Sequence, residues 1–528
     1  MSMTTQYDAI IVGAGHNGLT CGAYLAKAGL KTLVLERRHV IGGAAVTEEF
    51  SPGFRASIFS YIMGHVNPKV IADLELEKFG LEHMKVEDVI YPLYDNDCIV
   101  FTSNLERNLQ QIARFSKKDA EAYPEFFNYM SNSIRVMRNW LLETPVDPAD
   151  RSWRKFKETA GMIWRYRKIG DELYRIYDAM TMSAYEYVSQ WFESDVVKAV
   201  LCYWATIGCN VGPKSPGTAF NILFHLVGEN GMGFCRGGMG MISQSLADSG
   251  RRHGMEIKTD SPVNEILVEN GRAAGVITED GREYRGKLVS CNVSASLTFG
   301  KLVRREHLPE SFMREIKQFR NKGSAFKINL AVDQAPQYKG FDPVVAGVDY
   351  PAYAHIGPTT EYLERAADDA KYGWYSAKPF ISPIVPSMID DSLAPEGKHV
   401  VTLYGGHAPC ELKGANWDDE RDNFVRNVMD VMDEFAPGFS SSIIDMQVLL
   451  PPDIEHILGI PGGHELHGEV ALDQLFFMRP ASKYADYRSP VRGLYQCGAS
   501  THPGGAVSAV PGHNAAREIL KDWKEIRK

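Results

Sequence analysis

The stretch Tyr7–Glu36 constrains this chain more than any other. Ala9–Val12 is an uninterrupted apolar run, as expected of a parallel strand buried on both faces. It runs straight into Gly13-Ala14-Gly15-His16-Asn17-Gly18. The spacing predicts Gly13 for the tight turn out of the strand, Gly15 for close approach of a pyrophosphate to the backbone, and Gly18 for close packing of the new helix on the sheet. A helix over Leu19–Ala28 ends at Gly29, and Lys31–Leu35 reads as a second buried strand closing on Glu36. An acid at the tip of that strand can accept hydrogen bonds from both hydroxyls of an adenosine ribose. Glycine clusters alone are common in loops; strand, turn, helix, strand and acid in this order predict a dinucleotide site.

A chain of 528 residues exceeds one compact core and suggests two or three domains. With 44% apolar and 23% charged residues it has the composition of a soluble globular protein, and a formal charge of -9 argues against a nucleic-acid binder. No run of about 18 uncharged apolar residues suggests a spanning helix. The first strand follows Met1 within a few residues, leaving no room for a signal or transit peptide, so the cytoplasm is the expected compartment. The eight cysteines include no CxxC pair, which argues against a redox dithiol or a cysteine-rich zinc site and for buried thiols in a reducing compartment. The run Gly462-Gly463-His464-Glu465-Leu466-His467-Gly468 lacks HExxH spacing, and its glycines break helical geometry, so no metal is expected.

Residues 48–95 mix turn signals with aromatics and are expected to complete the cofactor wall. From Asn108 to Ser194 the chain reads as long aromatic-rich helices. Within it, Arg151–Met180 carries eight basic against four acidic residues, interleaved with Trp153, Phe156, Trp164, Tyr166 and Tyr174. That pattern suits a helical cap whose aromatics face a substrate cavity, and also peripheral contact with an anionic membrane. Gly237-Gly238-Met239-Gly240 opens a helix over Met241–His253. Strands follow at Glu256–Thr259, Val263–Glu269, Ala273–Thr278 and from Glu283, with Asn270-Gly271 and Asp280-Gly281 as hairpin turns of a small antiparallel meander. Val289–Val293 reads as a further central strand. The remainder to Asp486 alternates α and β: helices at Glu310–Phe319 and Asp418–Phe435, strands at Ala325–Val332 and His399–Tyr404.

Near the C-terminus the strand Leu494–Gln496 enters Cys497-Gly498-Ala499-Ser500-Thr501-His502-Pro503-Gly504-Gly505. A helix then begins near Pro511-Gly512-His513-Asn514, where its free N–H groups and positive dipole end could meet a polar ring edge. This segment resembles the C-terminal flavin motif of bacterial phytoene desaturases, and more closely that of their relatives of the pyridine nucleotide-disulfide oxidoreductase domain-containing protein 2 type. The pair Gly42-Gly43 soon after Glu36 resembles the flavin-binding segment of the wider phytoene desaturase and flavin amine oxidase superfamily. The likeness spans nearly the whole chain.

The resemblance implies an α/β, Rossmann-like FAD-binding domain of the glutathione-reductase-2 type, assembled from discontinuous segments 1–95, 233–300 and 487–528. An α+β substrate domain with a helical cap, 96–232 and 301–486, is inserted between them. It implies FAD held non-covalently by Gly13, Gly15, His16, Asn17, Gly18, Glu36, Arg37, Gly42, Gly43, Ala44, Ala45, Val263, Gly498, Ala499, Pro511, Gly512, His513 and Asn514. It further implies dehydrogenation or desaturation of a hydrophobic, unsaturated or aromatic small molecule by hydride transfer to flavin N5. His502, placed by the resemblance close to the flavin ring, is the first candidate proton acceptor, with bracing of its loop as the rival role; His467 is the second. Ala44 stands where many carotenoid desaturases carry arginine, so a carotenoid substrate does not carry over. With no second glycine fingerprint, no NAD(P)H domain is expected, and the electron acceptor would be oxygen, a quinone or a carrier protein. Two alternatives share the fold: a flavin amine oxidase, and a non-catalytic lipid escort of the GDP-dissociation-inhibitor type.

Overall fold

The structure, a computed structural model, describes residues 6–86, 88–150, 153–229 and 231–527. Its first layer is a seven-stranded sheet containing β1 (Gln6–Val12), β2 (Thr32–Leu35), β3 (Glu256–Lys258), β4 (Val263–Glu269), β5 (Arg272–Thr278), β6 (Glu283–Cys291) and the Leu494–Gln496 strand. In space the path runs β4-β5-β6-β1-β2-β3, with Leu494–Gln496 also paired to β6. β1 pairs in parallel with both β2 and β6, which explains why all but the first residues of β1 are apolar and buried. The connection from β1 to β2 is helix α1 (His16–Lys27), packed between α2 (Gly240–Arg252) and α3 (Val510–Ile526). Gly250 and Gly22 admit Met255 against α1, and Gly512 lets α3 close onto the Asn17 carbonyl, where an added Cβ would sit 2.1 Å away.

Two local expectations need correction. Glu283 onward and Val289–Val293 are not separate strands. They are one strand, β6, whose first residues pair antiparallel with β5 and whose last residues pair in parallel with Leu494–Gln496, while its other edge runs along β1. The meander is therefore an extension of the central sheet. The α1 helix also begins at His16, not Leu19, because Gly15 already supplies the extended N-cap. The Asn270-Gly271 turn has both residues at positive φ, 50° and 72°, the type I′ geometry that suits strand twist.

A second, antiparallel sheet contains β7 (Ala325–Val332), β8 (Phe380–Ile384), β9 (His399–Gly406) and β10 (Ile443–Leu449), in the order β8-β9-β7-β10. Phe326, Ile328 and Leu330 of β7 pack against Phe424, Val428 and Met432 of the helix Trp417–Phe435. The helical region includes Lys117–Leu141, Trp153–Tyr166 and Glu172–Thr181, so the basic-aromatic stretch is two helices joined by a turn. Arg151 and the side chains at 153–156, which that reading used, lie outside the described residues. No helix among the described residues is long and apolar enough to cross a membrane.

Candidate functional site

An outer cleft opens where β1, β2 and β6 end. Ten of the expected cofactor residues line it: Gly13, Gly15, His16, Asn17, Glu36, Arg37, Gly43, Ala44, Val263 and Ala499. Gly13 makes the turn at φ +95°, which an L side chain rarely adopts. Gly43 lies over Gly15, and a Cβ on it would meet the Gly15 Cα at 3.1 Å. Glu36 is anchored from behind: Ala14 N–H donates to Oε2 at 2.7 Å and Arg38 N–H to Oε1 at 2.9 Å. Each carboxylate oxygen keeps lone-pair capacity for a further donor. Arg37 spans the rim and donates to the Ile457 carbonyl at 2.6 Å.

Eight expected residues do not line the cleft, and packing accounts for them. Gly18 lies inside α1, and an added Cβ would meet the Gly13 carbonyl at 2.2 Å; its smallness serves helix–sheet contact. Gly42 donates to the Ala14 carbonyl at 2.8 Å, the Ala45 carbonyl accepts from Ser243 of α2, and Gly498 abuts the Asn292 carbonyl. Pro511 and Gly512 are buried where α3 meets α1; His513 packs edge-on against Tyr24, and Asn514 donates to the Leu141 carbonyl. These residues support the cleft from behind.

The residues missed by sequence reasoning come mostly from remote segments: Ser261, Pro262, Glu279, Asn292–Ser294, Lys301 and the wall from Glu455 to Pro461. Asn292 carries the clearest structural consequence. Its amide lies where a Cβ on Gly15 would be, at 2.5 Å, and it also touches the positions beside Gly13 and Gly18. The glycine spacing thus accommodates a neighbouring side chain as well as a ligand. Its only sequence signal is its place directly after β6.

A second, inner cavity adjoins the cleft, sharing His16, Ala44, Leu458, Ile460, His467 and Ala499 as lining. Aromatic and aliphatic side chains dominate it, among them Phe59, Tyr61, Ile62, Trp204, Ile207, Met232, Phe326, Tyr353 and Tyr404. Lys327 and Glu465 are its charged-type residues. Burial pulls the Lys327 ammonium well below its usual range, and its Nζ donates to the carbonyls of Ser57 and, at 2.9 Å, Phe59. His225 and His65 are engaged by the carbonyls of Ile207 and His225.

His467 lies on the seam between the two cavities with φ at 56°, and its Nδ1 is buried without a partner among the described residues. Burial, aided by the Arg479 charge, lowers its imidazole to about 4. Arg479 itself, inaccessible to solvent, clamps the site: it donates to the carbonyls of Leu466 (3.1 Å), Glu469 (3.3 Å) and Ala499 (2.9 Å), tying the His467 loop to the Ala499 turn. His502 requires a correction. It lines neither cavity; its Nε2 pairs with the Trp140 carbonyl at 3.0 Å beside Phe476, which braces the loop against the helical cap. Burial lowers it too, to about 4.

The residues present fit a flavin dinucleotide. Both ring nitrogens of His16, the Asn17 Oδ1 and the His467 Nδ1 are buried polar atoms, unpartnered among the described residues, along the path from the glycine turn to the inner cavity. A group with polar edges laid there would supply partners that such atoms otherwise lack at a cost of about 1–3 kcal/mol each. Comparison with known proteins agrees. The family of flavin containing amine oxidoreductases matches residues 18–520. Pyridine nucleotide-disulfide oxidoreductase domain-containing protein 2 of Rattus norvegicus is 36% identical over 99% of this chain and 94% of its own length. A limonene dehydrogenase polypeptide of Castellaniella defragrans is 27% identical over 99% and 96%. An oxidoreductase structure from Methanosarcina mazei superposes with a TM-score of 0.60 at 16% identity, covering 98% of this chain and all of that one. On the extent of the family match, the chain belongs to the flavin containing amine oxidoreductases and is an FAD-dependent oxidoreductase.

Proposed function

We propose that the protein dehydrogenates a small, neutral, hydrophobic molecule bound in the inner cavity. The observation that carries this reading is the aromatic and aliphatic lining of a cavity that shares six wall residues with the dinucleotide cleft. Its volume, about 150 Å³, suits a small molecule better than a long polyene. Bound FAD supplies a two-electron acceptor for hydride. The chain's own residues do the rest: Glu36 and the glycine turn hold the nucleotide end, the aromatic wall orients the substrate and excludes water, and His16 and His467 offer polar edges at the seam. We divide the chain accordingly, with 1–95, 233–300 and 487–528 holding FAD and 96–232 with 301–486 holding substrate.

A specific observation favours amine oxidation as a second reading, since Glu465 in the inner cavity could pair with an ammonium group. Anaerobic mixing separates the two. The first reading expects limonene or a similar cyclic alkene to bleach the flavin and benzylamine not to; bleaching by benzylamine alone, with peroxide formed in air, would replace it. Oxygen, a quinone or a carrier protein would reoxidise the flavin. Exposed Ile163, Trp164, Leu173, Tyr174 and Tyr177 beside Arg165, Arg167 and Lys168 support peripheral contact with anionic membrane by an otherwise cytoplasmic protein. Flotation with phosphatidylserine vesicles at low salt, lost at high salt, is the expected result.

A further inference from the structure

The dehydrogenation reading requires a proton acceptor, and neither histidine proposed from sequence suits that task. His502 lies outside both cavities. A proton placed on His467 would create a buried cation near the Arg479 guanidinium, which is why that imidazole is held low. Glu465 has the opposite electrostatics, because a proton placed on it removes a charge from an apolar wall.

Its surroundings are specific. Glu465 lines the inner cavity among Tyr61, Tyr404 and Leu466. Although 23% of its side-chain surface is accessible, Oε2 is buried and, among the described residues, without a hydrogen-bond partner within ordinary bonding distance. The Tyr404 hydroxyl stands 3.5 Å from Oε1, and the backbone N–H groups of Gly208 and of Glu465 itself also face the carboxylate. The nearby His464 Nδ1, 3.5 Å from Oε2, accepts the Leu466 N–H at 3.1 Å and so has no proton there to share. The titratable groups beside this carboxylate are Tyr404 and Tyr61, Cys209 and the His464 ring, none of them cationic, while Lys327 of the same cavity is held low by burial and turns its Nζ to the Ser57 and Phe59 carbonyls. Burial accordingly raises the carboxyl to about 7.

We infer that Glu465 is the proton acceptor of the reaction, a role that rests on the dehydrogenation reading above. One C–H bond of the substrate breaks with its electron pair as hydride leaves for the oxidised FAD. The adjacent C–H bond breaks as its proton passes to a Glu465 oxygen, and that bond's electron pair becomes the new C=C. Substrate loses two electrons and two hydrogens, FAD gains the hydride, and Glu465 gains the proton, which Tyr404 is placed to relay.

The test uses the FAD-loaded full chain and its Glu465→Gln variant. Infrared difference titration without substrate should show a carboxyl band that disappears as pH rises through about 7 and is missing from the variant. No such band in the wild type overturns the inference. With limonene as anaerobic probe, flavin bleaching should accelerate with pH through the same range and fall about 10²–10⁴-fold in Glu465→Gln at unchanged FAD content. Equal rates in both proteins overturn the inference and leave the dehydrogenation reading standing. Wild-type flavin that limonene cannot bleach tells against that reading, with the infrared arm still deciding whether Glu465 exchanges its proton. Bleaching by benzylamine, weakened through KM alone in the variant, would make Glu465 a counter-ion and overturn the proposal.

Discussion

Replacing Glu36 by alanine should separate the cofactor's hold from the fold's stability. In the folded chain the carboxylate accepts the Ala14 N–H at 2.7 Å and the Arg38 N–H at 2.9 Å, and the residue is 9% exposed. Removing it strips two backbone donors of a charged acceptor, at roughly 1–3 kcal/mol each, so the apoprotein should lose about 2–6 kcal/mol in urea unfolding. A ribose hydroxyl donating to the same oxygens forms a charge-assisted bond, and its loss should weaken FAD by a further 1–3 kcal/mol or so, about 5- to 150-fold in Kd. Glu36→Gln should fall between wild type and alanine, since it keeps one acceptor oxygen but turns an NH2 group toward one backbone donor. Isothermal titration of refolded apoprotein with FAD gives Kd, and urea melts of the same samples give stability. A Kd within twofold of wild type in a folded Glu36→Ala protein would refute the reasoning, because the carboxylate would then serve the turn alone.

Gly18→Ala should cost about 1–3 kcal/mol or more and lower FAD occupancy, because its Cβ would meet the Gly13 carbonyl at 2.2 Å; flavin absorbance per protein and urea midpoints check both. His502→Ala should leave the rate of flavin reduction within a few-fold of wild type while lowering stability by about 0.5–1.5 kcal/mol, the value of the lost bond to the Trp140 carbonyl; a rate collapse at full FAD content would restore it to the chemistry. The pH dependence follows from buried imidazoles. Burial lowers His16 and His355 to about 3 and His225, His407, His464 and His467 to about 4. Unfolded histidines take up protons near pH 6.5 while these stay neutral, so the unfolded state binds more protons and stability falls as pH drops from about 6.5 toward 4, by up to about 1.4 kcal/mol per pH unit for each ring. Urea midpoints that stay level between pH 7 and 5 would contradict this.

Much of the dinucleotide half was legible in sequence because it is written locally. Apolar strand, glycine turn, helix and acid fall within Tyr7–Glu36, and the physics that selects each operates between near neighbours in the chain. The family came from resemblance, carried by Gly42-Gly43 and by the C-terminal motif from Gly498 to Asn514. What only the tertiary structure decided lies where distant segments meet. Asn292 fills the space beside Gly15, Arg479 ties the His467 loop to Ala499, and α3 turns His513 and Asn514 into packing. His502 and His467 look alike as histidines in glycine-rich loops; packing sends one to the Trp140 carbonyl and leaves the other on the seam. Glu465 gains its character in the same way. Nothing within its own loop lifts its carboxyl, whereas the aromatic walls brought by Tyr61, Trp204 and Tyr404 from three other parts of the chain remove the water that would have solvated its charge.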